Sequence, residues 1–78
     1  MLAELDVVRL RTGLSAPLLA EGALGTVLEV LGGLEGQCLV EFSDDEGQEL
    51  ATVLLTEAQL ERVWHRVDDR GSSERQAA

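Results

Sequence analysis

The chain has 78 residues, of which 45% are hydrophobic, with 15 acidic residues against 6 basic ones and a formal net charge of −9. That length holds one small domain, marginally stable on its own because it buries a limited fraction of its surface, and that hydrophobic content excludes wholesale disorder. The charge argues against a phosphate backbone as ligand and favours basic partners, the more so because residues 1–55 carry ten acids and two Arg.

All six basic residues are Arg and there is no Tyr, which excludes amine and phenol catalysis within this chain. Trp64 and Phe42 are the only aromatics, so the core must be made of Leu, Val and Ala. Cys38 is the single cysteine, and no intramolecular disulfide can form. Met1–Asp6 lacks the basic and long apolar regions of a signal peptide, and no apolar run approaches the roughly 20 residues of a membrane span. The expectation is a cytoplasmic protein with no membrane partner.

In chain order, Leu5-Asp6-Val7-Val8-Arg9-Leu10 reads as a first strand. Thr12–Pro17 reads as a loop, with Pro17 restricting Ala16 to extended geometry. Leu18-Leu19-Ala20-Glu21 is ambiguous, one turn of helix being its nearest reading. Leu24–Leu31 is a second strand, too short and too β-branched for a helix, and apolar residues on both of its faces leave its register open. Gly22 and Gly25 precede or open it, where glycine permits either a positive φ or a close backbone approach. Gly32-Gly33-Leu34-Glu35-Gly36 is a turn. Gln37–Ser43 alternates cleanly: Cys38, Val40 and Phe42 point one way, towards the better core, and Gln37, Leu39, Glu41 and Ser43 the other. Ser43–Gly47 is a hairpin turn. Gln48–Leu55 is the fourth strand; Leu50, Thr52 and Leu54 oppose Ala51, Val53 and Leu55, which makes it a central strand or one whose outer face is covered.

Thr56-Glu57-Ala58-Gln59 matches a capping box, and Leu60, Val63, Trp64 and Val67 follow at i, i+3, i+4, i+7. A short amphipathic helix over 57–67 is therefore expected, with 68–78 a frayed polar tail. The fold expected is mainly β: a small SH3-like barrel of four to five antiparallel strands with a short C-terminal helix, forming one domain over 1–67.

No constellation for chemistry is found. Gly22-x-x-Gly25 precedes a strand and lacks a following Lys, so it fails the phosphate-loop and dinucleotide patterns. Asp44-Asp45-Glu46 lacks the Gly and Glu that a calcium loop needs further on, and reads as a solvated acidic hairpin. His65 and Cys38 are too few for a structural zinc site, which takes four ligands. His65 lies off the helical stripe and reads as solvated; Cys38 reads as a small core residue. No Gly-x-Ser-x-Gly turn supports a Ser-His-Asp arrangement. Trp64 has two readings: it caps an open end of the barrel, or the Leu60–Trp64–Val67 stripe is an exposed hot spot.

Leu5-Asp6-Val7-Val8-x-Leu10, Gly22-x-x-Gly25-Thr26-Val27-x-Glu29-Val30, Val40-Glu41-Phe42-x-Asp44-x-x-Gly47, Leu54 and Leu60 together resemble an uncharacterised family of small bacterial domains, the domain of unknown function 4926. The resemblance covers residues 2–60 and implies an SH3-like barrel with no catalytic residues. It also implies an antitoxin or immunity role, because such members lie beside toxin-like genes.

The function expected is a non-enzymatic protein-interaction module without cofactor or metal. A basic partner would dock on Glu41, Asp44, Asp45, Glu46 and Glu49 around the hairpin, or on Leu60, Trp64 and Val67. A homodimer through the two-sided apolar strand Leu50–Leu55 or through the helix would cover the outer apolar row. The alternatives are a nucleic-acid-associated barrel, which the acidic body opposes, and a small accessory subunit of an enzyme complex.

Overall fold

The computed structural model describes residues 1–65. Seven strands run in chain order: β1 Val7–Leu10, β2 Leu14–Ser15, β3 Leu18–Leu19, β4 Leu24–Gly32, β5 Gln37–Ser43, β6 Glu49–Thr56 and β7 Leu60–Trp64, with one 3-10 turn, Glu57–Gln59, before the last. Five of them form an antiparallel sheet in the order β6-β5-β4-β1-β7, while β2 and β3 make a separate small hairpin. Among the described residues the sheet stays open: β6 and β7 are its two edges and do not pair, so the closed barrel expected from the sequence is not formed. Bulges in β4 opposite β5 add bend in place of closure.

Alternation places the core as expected in β5, where Cys38, Val40 and Phe42 are fully buried. The same inner face carries Val8 and Leu10 of β1, Val27 of β4, Leu55 of β6 and Leu60 of β7. Leu2 and Leu19 close it from the N-terminal segment and the small hairpin. The register of β4, open in the sequence, is settled by two bulges, between Val27 and Glu29 and between Val30 and Gly32. They let Val27 point inward while Leu28 and Leu31 stay exposed.

The ambiguous Leu18–Glu21 segment is strand, not helix, at Leu18–Leu19: Ser15 pairs with Leu18 and Leu14 with Leu19 around Ala16-Pro17, which carries a cis peptide bond. The loop returns to the sheet where the Leu10 and Gly22 backbones meet, Gly22 N–H donating to the Leu10 carbonyl at 2.9 Å.

Among the described residues the expected C-terminal helix is absent. Gln59 does reach back to cap, its side-chain oxygen accepting the Thr56 N–H at 2.9 Å, but only one 3-10 turn forms before Leu60 returns to extended geometry. The reason is tertiary. β1 has a free side, and Leu60–Trp64 takes it, pairing Leu60 with Leu10 and Trp64 with Val7. A strand there satisfies backbone groups on two elements and buries Leu60, whereas a helix of about ten residues is marginal alone. β6 is likewise not central: it lies at an edge, with Ala51, Val53 and Leu55 turned to the core and Leu50 and Leu54 turned outward.

Candidate functional site

Two features stand out beyond the core: a charged node under the N-terminal segment, and the outer face of the sheet.

The node is centred on Asp6, which is fully buried. The chain reaches it through a tight turn in which Leu5 sits at φ 71°, a region L side chains rarely adopt. Asp6 Oδ2 accepts from the Ala3 N–H at 2.9 Å and from Arg62 Nε at 3.0 Å; Oδ1 faces His65 Nδ1 at 2.6 Å. A carboxylate only accepts, so His65 Nδ1 carries the hydrogen and leaves Nε2 outward. Burial pushes the Asp6 carboxyl up, but the Ala3 amide, His65 and Arg62 outweigh it and hold it below its ordinary value. Arg62 also donates to the Met1 carbonyl, so the node pins the N-terminal segment to the end of β7. His65, expected in solvent, is thus half-exposed but bound. Sequence reading missed this node because Asp6 sits in a strand-like run and its partners lie 56 and 59 positions away. The Asp6–His65 pair orients an imidazole, yet among the described residues no hydroxyl or thiol hydrogen-bonds to that ring. Cys38 is buried elsewhere in the core, its thiol pushed up by burial and by the negative charges of Glu57 and Asp6.

The outer face is organised by register. Trp64 pairs with Val7, Val7 with Thr26, Thr26 with Glu41 and Glu41 with Thr52, which makes one row across all five strands. Cross-strand neighbours share a face, so Trp64 and Glu41 lie on the same side. Trp64 is 53% exposed. Beside this row runs an open groove lined by Val7, Ala23, Leu24, Thr26, Ser43, Asp44, Asp45 and Leu50. Residues predicted from sequence as two separate surfaces, the acidic hairpin and Trp64, therefore share one face.

Within the hairpin the acids differ. Asp44 shapes the turn: its Oδ1 accepts the Glu46 and Gln48 N–H groups, each at 2.9 Å, and its carbonyl accepts the Gly47 N–H at 3.0 Å. Glu49 accepts the Thr52 hydroxyl at 2.6 Å. Asp45 and Glu46 are exposed, and no side-chain bond holds either carboxylate among the described residues. Leu60, expected on the same helical stripe as Trp64, is instead buried beside Leu10 and turned from any partner. Val67 and the expected tail lie outside the described residues. Among the described residues no helix is long and apolar enough to cross a membrane.

No curated protein and no solved structure matches the chain. One family model does, described as "Domain of unknown function (DUF4926)", over residues 4–62. That stretch holds Asp6, Arg62 and every strand but the last two residues of β7, and the chain belongs to this family of domains of unknown function.

Proposed function

We propose that this domain is a non-enzymatic protein-interaction module whose outer sheet face takes a basic segment of a partner protein. The observation that carries the reading is the single row that joins Trp64 to Glu41, beside an open groove that Leu24, Leu50, Asp44 and Asp45 line together. An exposed indole attracts Arg or Lys over its ring face, carboxylates steer and orient cations, and a shallow apolar floor takes the side-chain stems. The order of the elements supports an SH3-like relationship: a loop with a small hairpin after the first strand, three hairpin-linked strands, a 3-10 turn, and a last strand returning to the first. An antitoxin or immunity role, as the family resemblance implies, is the special case in which the basic partner is a toxin-like enzyme. Cytoplasmic placement belongs to the same reading.

The test uses Trp64, the only tryptophan, as its own reporter. Titration with an arginine-rich peptide should change its fluorescence, and an acidic peptide should not. Asp45→Ser with Glu46→Ser should slow association and flatten the salt dependence; Asp44 is left intact because it builds the turn. Trp64→Ala, followed by a labelled peptide, should speed dissociation. A peptide that binds equally well to both variants would refute the assignment of this face.

A further inference from the structure

We infer that a second copy of this chain docks on the free edge of β6, pairing β6 with β6 antiparallel about Thr52 to make a continuous ten-stranded sheet. The two edges of the sheet differ. β7 carries the exposed charges Glu61 and Arg62, and charges at an edge discourage strand addition. β6 has no Lys, Arg, Pro or Gly; past the bulge at Leu50, opposite Phe42 and Ser43, it runs regularly through Ala-Thr-Val-Leu-Leu-Thr, and among the described residues nothing pairs with its outer edge, where Leu50 is 56% and Leu54 48% exposed.

Register decides the pairing. Opposed residues must share a face, so a two-fold axis has to pass through a residue and not between two. Centred on Thr52, Ala51 meets the other copy's Val53 on the inner face, and Leu50, at the bulge, comes beside the other copy's Leu54 on the outer one. Centred on Val53, the same two leucines would each meet a threonine. The Thr52 centre therefore covers both exposed leucines with each other.

Charge permits it. Glu49 lies beyond the bulge, on the outer face where it accepts the Thr52 hydroxyl, and the two copies' Glu49 residues stand about six positions apart along the strands, on the order of 20 Å. The two Glu41 residues are three strand spacings apart, about 14 Å, beyond the screening length of about 8 Å at physiological salt. The acidic hairpins end up at opposite ends. The pairing uses one edge of each copy and closes on itself, so it stops at a dimer.

This inference does not rest on the basic-partner reading, because its test needs only the purified chain, and salt acts on the two with opposite sign. Salt weakens capture of a basic segment but strengthens association of two acidic copies. Sedimentation over a concentration series should show mass rising towards double, and more readily at high salt. Thr52→Lys sets two like charges face to face across the axis and should weaken the dimer by about tenfold or more, with an unchanged circular dichroism spectrum. Thr52→Cys should form an intermolecular disulfide on mild oxidation, since directly opposed Cβ atoms lie about 5 Å apart, whereas Glu29→Cys, two strands inward, should not. A monomer at every concentration would overturn the proposal. So would a dimer that Thr52→Lys leaves intact and Thr52→Cys fails to cross-link.

Discussion

Gly25 and Asp6 show how much a single position carries in a domain this small. Gly25 lies in β4 directly opposite Phe42. A Cβ there would meet Phe42 Cδ1 and Val40 Cγ1 at 2.8 Å and the Glu41 carbonyl oxygen at 2.9 Å. Two of those neighbours are core side chains and the third is backbone, so none yields freely. Gly25→Ala should therefore cost about 1–3 kcal/mol in urea unfolding, as overpacking does. Gly22, three residues earlier, uses the other freedom of glycine, a φ of 88° with open space around it. Asp6→Asn removes the charge that holds Arg62 and His65, and should cost about 2 kcal/mol at neutral pH, the order of a lost buried charge-assisted bond. The folded Asp6 titrates below its ordinary range, so its contribution is present above that range, about pH 4, and is lost as pH falls through the lowered folded-state value. Unfolding measured from neutral to acid pH should show this loss in the wild type and not in Asp6→Asn.

At the scale of elements, β7 is the discriminating case. A helix would put Leu60 and Val63 on one buried stripe. The strand separates them: Leu60 is buried, and Val63 is 44% exposed. Leu60→Ala should cost about 3 kcal/mol, as core Leu deletions do, and Val63→Ala about 1 kcal/mol or less. Equal losses would restore the helical reading. The 3-10 turn before β7 is held from outside as well as by Gln59: the Glu57 N–H donates to the Gly36 carbonyl at 3.1 Å, and Arg11 Nε donates to the Leu60 carbonyl at 3.0 Å. Those contacts come from two distant loops and fix the turn where β7 leaves it to pair with β1.

For the whole molecule the governing fact is a charge of −9 on 78 residues. Self-repulsion destabilises the compact state, and salt screens it. Raising salt should raise the melting temperature, while it weakens binding of an arginine-rich segment to the outer face. A melting temperature that falls with added salt would show that attractive pairs dominate. The only exposed ion pair between strands is weak: Arg9 and Glu61 stand 3.9 Å apart among the described residues, and surface pairs of that kind contribute little.

The sequence by itself determined what depends on neighbours along the chain. Alternation in Gln37–Ser43 placed Cys38, Val40 and Phe42 in the core, glycine and aspartate placed the turns, and the Thr56–Gln59 cap was readable from four residues. Composition set the acidic character, and short alternating or apolar runs between turns set the mainly β class. Only the tertiary structure decided the rest, because it turns on pairings between distant segments. β1 had a free side, and that made Leu60–Trp64 a strand although its spacing suits a helix just as well. Asp6 became a buried node because Arg62 and His65 arrive from the far end of the chain, and no local pattern announces such partners. The same pairings brought Trp64 and the acidic hairpin onto one face, since a face of a sheet is defined by register across strands and not by distance along the sequence.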